Sequence, residues 1–237
     1  MKKFLRKTVL LLLLVILCIS ATLLGMGYFR YKREVEALPV REAVSAYMER
    51  EDFIPFEKID EDFVHAVISV EDKRFFERKG YDWIALIRAL YHNFLAREFV
   101  EGGSTISEQI AKNLYLGGYV TGVEDKMCEI FFLYDLEETY SKEELFALYA
   151  NMNYYGDGYW GIERASQGYF GVSCSDLDLA EASILAGIPN APAVYQLSTG
   201  YDLAKERQEW VLSTMVRSGY ITEEEAEKAF KEELPLQ

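Results

Sequence analysis

The chain has 237 residues, of which 50% are hydrophobic, so it can bury a sizeable core, and intrinsic disorder does not describe it. Its 25 lysines and arginines stand against 39 aspartates and glutamates, and the net charge of −14 argues against unaided binding to nucleic acid. Residues 1–33 contribute seven positive charges and no negative ones, so the remaining residues carry a net charge of −21. The chain therefore divides into a basic, apolar front and a strongly acidic body.

The first predicted element is a membrane anchor. The segment from Thr8 to Phe29 has 22 residues without a charge, and about 20 apolar residues are enough for a helix to cross the hydrocarbon core. A cleavable signal peptide is the alternative, but the apolar run is long and no Ala-x-Ala cleavage site follows it. More cations precede the run than follow it, which favours a cytoplasmic N-terminus and an acidic body outside. We therefore expect a cytoplasmic tail at 1–7, a transmembrane anchor at 8–29, a juxtamembrane linker helix at 30–49 and one domain at 50–237.

The body is predicted to be almost entirely helical. Residues 34–50 form a polar helical pattern, and residues 60–76 and 82–97 have apolar residues at helical spacing. Three capping boxes, whose side chains satisfy the first free N–H groups of a helix, precede helical patterns. They are Thr105-x-x-Glu108, Ser141-x-x-Glu144 and Thr222-x-x-Glu225. Because no segment predicts more than a short strand, we expect a mainly α domain.

Cysteine and histidine offer little for catalysis or metal binding. Cys128 and Cys174 are the only cysteines of the body, and they lack the spacing of a zinc site. The chain has two histidines, His65 and His92. His65 lies in an apolar run, which favours a packed core position over a catalytic one.

The first candidate for chemistry is Glu71-Asp72, which follows an apolar helical pattern. Partial desolvation at such a helix end raises the pKa of a carboxylate toward the range of a general base. The alternative is an ordinary acidic helix end, and the residues alone leave both open.

The second and third candidates are polar faces of predicted helices. Thr105, Glu108 and Lys112 share one face with Gln109 after a pair of glycines, and such a face either grips a phosphate or sugar or is simply solvated. Lys126 and Glu129 lie one turn apart, where an ordinary surface ion pair is the alternative.

The order and spacing of these segments resemble glycosyltransferase family 51, the peptidoglycan glycosyltransferases. These occur as monofunctional transglycosylases and as the first domain of bifunctional penicillin-binding proteins. The similarity covers roughly residues 50–220 and five motifs in the family's order. The matching residues are Glu71, Asp72, Phe75, Arg78 and Gly80, then Gly102 to Asn113, then Asp125, Lys126 and Glu129, then Tyr149, Ala150, Asn151 and Gly156, and finally Arg207, Val211, Leu212 and Met215.

The resemblance implies a lysozyme-like helical domain, held by a single span outside the bacterial plasma membrane, that polymerises lipid II into glycan strands. Glu71 would be the general base that takes the proton from the acceptor hydroxyl, in an inverting transfer that releases undecaprenyl diphosphate. Glu129 would assist at the diphosphate, directly or through Mg²⁺ or Mn²⁺, and no other cofactor is expected. The implied partners are lipid II, the growing glycan, the membrane and cell-wall synthesis proteins that include a separate transpeptidase, since no transpeptidase domain is expected in this chain.

The resemblance also assigns substrate contacts. Arg88, Lys112 and Lys126 would neutralise the diphosphate. The other residues would position the donor and the sugar or complete the motifs, and they are Asp72, Phe75, Gly103, Ser104, Thr105, Gln109, Asn113 and Asn151.

Six positions depart from the family's pattern. Arg78 replaces a His, Glu101 and Glu108 replace Gln, Asp125 replaces Arg, and Ala147 and Ala150 replace Glu and Leu. Three of these changes add negative charge to the expected cleft, so we predict that Asp125→Arg with Glu108→Gln strengthens the binding of lipid II analogues. They also leave two alternatives open, an inactive scaffold that binds lipid II or cell-wall proteins, and a muramidase with Glu71 as general acid.

Overall fold

The computed structural model describes residues 2–96 and 104–237. Twelve α-helices lie in these residues, and they are α1 Lys2–Ala37, α2 Val40–Met48, α3 Glu61–Glu71, α4 Trp83–Ala96, α5 Ile106–Tyr115, α6 Val123–Thr139, α7 Lys142–Met152, α8 Ile162–Phe170, α9 Leu179–Gly187, α10 Pro192–Tyr195, α11 Leu197–Ser218 and α12 Glu223–Lys231. Two short 3₁₀ turns occur at Phe56–Lys58 and Ile188–Asn190. Among the described residues the only β pairing is an isolated bridge between Tyr154 and Trp160. The prediction of a mainly α protein is confirmed.

Helix α1 joins the predicted tail, anchor and first part of the linker in one uninterrupted element. Within the described part of the chain it is the single helix long and apolar enough to cross a membrane, with a mean hydropathy of 2.9 in its most apolar window. The predicted helix over 34–50 is wrong in one respect, because the chain leaves the helical conformation at Leu38 and Pro39. Proline restricts the residue before it and has no N–H to donate. Helix α2 then buries Val40 and Val44, so it belongs to the domain core and is not a free linker.

The core forms where two groups of helices meet. Helices α3, α9 and α11 pack together, and α5 packs against both α6 and α7. Every residue of α7 from Leu145 to Met152 is buried. The largest buried side chains are aromatic, and rings of this size dominate the apolar area that a core removes from water. Those with less than 2% exposure are Phe63, Phe75, Phe132, Phe146, Tyr149 and Tyr155.

All three predicted capping boxes are present at the starts of α5, α7 and α12. A fourth, built on Asp178 and Glu181, begins α9. At α5 the Oγ1 atom of Thr105 accepts a hydrogen bond of 3.2 Å from the Glu108 N–H, and the Glu108 carboxylate accepts one of 2.8 Å from the Thr105 N–H. These bonds fix the residue at which α5 begins.

Helix α3 is shorter than the predicted 60–76, and this places Glu71 at its last turn. The Asp60 carboxylate caps the start of the helix. Asp72 has an extended φ of −158°, so the helix ends at Glu71. The expectation for His65 is wrong, because its side chain is 27% exposed and stacks on Tyr220 with 4.1 Å between ring centroids.

Candidate active site

The first functional group of the site is the carboxylate of Glu71, held between α3 and α5. The side-chain amide of Gln109 donates a 2.7 Å hydrogen bond to Glu71 Oε2. Burial raises the pKa of Glu71, and the bond from Gln109 together with the charges of Arg207 and Lys112 opposes part of this rise. A carboxylate with a raised pKa at a helix end has the properties of a general base.

The second functional group is a triad of charges on α5 and α6, made of two buried carboxylates and one half-buried ammonium. The Lys126 ammonium lies 2.7 Å from Glu129 Oε2 and 2.5 Å from Glu108 Oε1. Both carboxylates are almost fully buried, so the Lys126–Glu129 pair is not a surface ion pair. Burial raises the pKa of Glu129 against the opposing effect of Lys126. Burial by itself would lower the pKa of Lys126, but the two carboxylates raise it.

Helix α5 connects these two groups. Its Gln109 contacts Glu71, and its Glu108 contacts the ammonium that also binds Glu129. The positive charge of Lys112 opposes the rise in pKa of both Glu71 and Glu129. The structure therefore brings the three predicted segments together, with α5 in the middle.

A shallow cleft lined by both acidic and basic side chains lies beside Glu71. It is lined by Glu71, Asp72, Lys73, Arg74, Asp82, Ala85, Arg88, Ser104 and Thr105. Arg88 and Ser104, two predicted substrate contacts, are exposed in it. Gly103, a third, lies outside the described residues, as does the departure at Glu101.

Asp72 lines the cleft, but its carboxylate also has a structural task. Its oxygens accept from the Arg78 guanidinium and from the Ile106 N–H at the start of α5, the latter at 3.3 Å. Burial raises the pKa of Asp72, and Arg78 opposes the rise. Arg78, which replaces the family's His, therefore holds the loop after α3 against α5.

Glu137 also holds the loop after α3 in place, a role that the sequence pattern did not predict. Its carboxylate accepts from Ser107 Oγ at 2.6 Å and from the Gly80 N–H at 2.6 Å, and it pairs with Lys142 at 2.7 Å and with Arg78 at 3.3 Å. Burial alone would raise the pKa of Glu137, but these partners lower it.

Two predicted substrate contacts do not reach the cleft. Phe75 has no exposed surface and packs in the aromatic core. The Asn151 amide donates to two backbone carbonyls at 2.8 Å each, and its oxygen accepts from the Ile54 N–H at 2.9 Å. In this structure both side chains stabilise the packing around α7, and their roles as substrate contacts stay predictions. Asn113 is partly buried, and its Nδ2 donates a 3.4 Å hydrogen bond to Asn153 Oδ1.

The acids at 108 and 125 do not face a common phosphate site. Glu108 is held by its capping box and by Lys126. Asp125 is 5% exposed, accepts from Thr121 N and Oγ1 at 2.8 and 2.7 Å, and pairs with Arg30 of α1. The Thr121 bonds and the Arg30 charge lower the pKa of Asp125. The prediction that replacing both acids strengthens binding loses its geometric basis.

Arg207 of α11 belongs to the fifth motif, but the sequence did not predict that it lies near Glu71. Its charge acts on Glu71, and its own pKa is lowered by burial. The guanidinium stacks on Trp210 at 4.1 Å from the ring centroid. A Cβ atom at Gly187 would come within 2.8 Å of Arg207 Cγ, so the glycine makes room for this side chain.

The described residues do not form a site for a resident divalent cation. Within 2–96 and 104–237 no three acidic, histidine or cysteine side chains are grouped to hold one. Lys126 Nζ lies between Glu108 and Glu129, so an ammonium already occupies the position that a cation would take between these two carboxylates. We derive no step through a metal.

Comparison with known proteins identifies the family of the chain. The profile of the Transglycosylase family matches residues 39–216. Penicillin-binding protein 1F of Bacillus subtilis is 40% identical over 185 residues, which are 78% of this chain and 26% of that protein. A Cupriavidus necator protein named as a putative transglycosylase is 36% identical over 199 residues, which are 84% of this chain and 85% of that protein. A crystal structure of penicillin-binding protein 1A from Haemophilus influenzae matches 43% of this chain and 15% of that chain at 36% identity, with a TM-score of 0.39.

The chain spans about a quarter of the length of penicillin-binding proteins 1F and 1A, the latter from Aquifex aeolicus. The matched family region covers most of this chain and includes Glu71, Glu129 and the Arg207 motif. The protein belongs to the transglycosylase family.

Proposed function

We propose that the protein is a peptidoglycan glycosyltransferase that polymerises lipid II into glycan strands at the outer face of the plasma membrane. The observation that carries this proposal is the pairing of a carboxylate of raised pKa, Glu71, with the Lys126–Glu129 pair across α5. Membership of the transglycosylase family supports it.

In the proposed reaction Glu71 accepts the proton of the acceptor's sugar hydroxyl while that oxygen attacks the anomeric carbon of the donor. The bond between the anomeric carbon and the diphosphate oxygen breaks in the same displacement, so the anomeric centre inverts. Gln109 holds Glu71 Oε2 at 2.7 Å, which leaves Oε1 for the incoming proton. Positioned general bases contribute roughly 10²–10⁴-fold to a rate.

The departing diphosphate gains negative charge, and fixed positive charge stabilises it. Lys112, whose charge acts on both carboxylates, and Arg88, exposed in the cleft, are suited to this task. Lys126 is less suited to attract a diphosphate by itself, because its charge is compensated by Glu108 and Glu129. Glu129 can assist the leaving oxygen by holding the Lys126 ammonium in place, 2.7 Å from its own Oε2.

An apolar face beside the cleft supports a position at the membrane. Helix α4, which carries Arg88, exposes large apolar side chains to an extent unusual for a soluble surface. They are Trp83, Ile84, Ile87, Tyr91, Phe94 and Leu95. A lipid-linked substrate would reach the cleft from the bilayer if this face contacted lipid, and α1 would keep the domain there.

The test is polymerisation of lipid II by the purified full chain in liposomes, resolved as glycan length on a gel. We expect polymer from the wild type and none from Glu71→Gln, because the amide keeps the shape but cannot accept a proton. Glu61→Gln is the matched control, since Glu61 lies on the same helix with an 85% exposed side chain, and it should retain full activity. Binding of lipid II without polymer would indicate a scaffold, and cleavage of preformed glycan would indicate a muramidase.

A further inference from the structure

The last turns of α1 pack along α6, the helix that carries Glu129. Gly27 is buried at this contact, and a Cβ atom there would lie 2.8 Å from the Met127 carbonyl carbon and 2.9 Å from the Cys128 nitrogen. Met127 and Cys128 lie between Lys126 and Glu129 in the chain. The backbone of the anchor helix therefore touches the turn of α6 that presents the two charges of the site.

Polar contacts flank this close approach. Arg30 forms an ion pair with Asp125, and the Tyr31 hydroxyl donates a 2.7 Å hydrogen bond to Asp135 Oδ2. The Tyr31 ring also packs edge-on against Phe132 of α6, with 4.9 Å between ring centroids. These contacts between the last turns of α1 and α6, which we call the seam, lie on both sides of Glu129 along α6.

The first turn of α6 depends on Asp125. The N-cap residue, Gly122, has no side chain to bond the free N–H groups of the helix. Asp125 instead binds Thr121, whose N–H and hydroxyl both donate to Asp125 Oδ2. The other oxygen, Oδ1, accepts from Arg30. One carboxylate therefore joins the loop before α6, the helix itself and the anchor.

We propose that Arg30 and Asp125 are positioning residues, which lock the membrane anchor to α6 and thereby hold Lys126 and Glu129 in register with α5. The family pattern has an arginine at position 125. In this chain Asp125 stands there and forms an ion pair with Arg30 of the anchor helix. The inference rests on the proposed function, and neither residue touches the substrate.

Arginine, the family's residue at position 125, should therefore be harmful in this chain. Asp125→Arg places a second guanidinium against Arg30, and Arg30→Glu places a carboxylate against Asp125, so each change opens the seam. We expect each to lower kcat for lipid II polymerisation by about tenfold, with KM little changed, because the displaced Glu129 acts in the transition state. The double variant Arg30→Glu with Asp125→Arg restores an ion pair, though not the acceptor for Thr121, and should recover part of kcat relative to Asp125→Arg. Arg33→Glu is the control, since Arg33 is 73% exposed on the same helix, and it should be neutral.

A second measurement reports on the seam without needing activity. Amide hydrogen exchange of α6 should rise in both single variants and fall below the Asp125→Arg level in the double variant, which restores the ion pair but not the acceptor for Thr121. Asp125→Asn, which removes the charge but keeps an acceptor for Thr121, should show a smaller rise and serves if Asp125→Arg folds poorly. If the wild type made no polymer, the proposed function would fail while the exchange data still tested the seam. Single variants with wild-type kcat and exchange, or a double variant no better than Asp125→Arg, would overturn the inference.

Discussion

At the scale of single residues, the environment of Glu71 sets the expected pH dependence. Its pKa is raised by burial, and the bond from Gln109 opposes the rise. The base must be ionised, so kcat should fall on acidification through a pKa above the ordinary value of about 4.3 for glutamate. Gln109→Ala removes a bond that favours the charged form and should move this acidic limb to still higher pH.

The measurement is the pH profile of kcat for the wild type and Gln109→Ala. Asn113→Ala, on the same helix, is the control and should leave the limb in place. Coincident limbs for all three proteins would show that Gln109 does not tune the base.

The same raised pKa has a consequence for stability. A carboxyl group that holds its proton more tightly when folded costs stability above its unfolded pKa, and the cost disappears as the pH falls below that value. Glu71→Gln removes the cost, so its free energy of unfolding at pH 7 should equal or exceed that of the wild type. Denaturant titrations at pH 7 and pH 4 test this, and the difference should shrink at pH 4. A marked loss of stability at pH 7 would contradict the assigned direction of the pKa.

At the scale of elements, the contact between α5 and α6 depends on one ammonium between two carboxylates. Lys126→Gln leaves Glu108 and Glu129 buried without a cation, and breaking a buried pair in this way typically costs about 3–5 kcal/mol. The loss should shrink at low pH, where the carboxylates take up protons. Adding Glu108→Gln to Lys126→Gln should recover part of it, because one of the two uncompensated charges is removed. Chemical denaturation of the three variants checks this, and equal stability of Lys126→Gln and wild type would contradict the burial of the two carboxylates.

At the scale of the whole molecule, the charge distribution and α1 give a topological prediction. Residues 1–7 should stay in the cytoplasm and the acidic body should lie outside, as lipid II polymerisation on the outer face requires. Protease added to intact spheroplasts should digest the body and spare a tag placed at the N-terminus. Protection of the body would contradict the orientation and the proposed access to the substrate.

The sequence by itself determined the features that depend on neighbouring residues. The capping boxes that begin α5, α7 and α12 were predictable, because each forms between residues three positions apart. The long apolar helix α1 followed from an unbroken apolar run, and Glu71 as a helix-end carboxylate followed from its local pattern. The family resemblance rested in the same way on the order of short motifs.

Only the tertiary structure decided which helix each polar side chain meets. Asp125 and Lys126 are adjacent in the chain, but one pairs with Arg30 of the anchor and the other with Glu108 of α5. The charge of Arg207 on α11 acts on Glu71 on α3, although the two residues are far apart in the sequence. The physical reason is that the sign and exposure of a residue fix neither its burial nor its partner, since both are set by contacts between helices far apart in sequence. In this protein those contacts turned two acids expected to repel a diphosphate into partners for an arginine of α1 and a half-buried lysine.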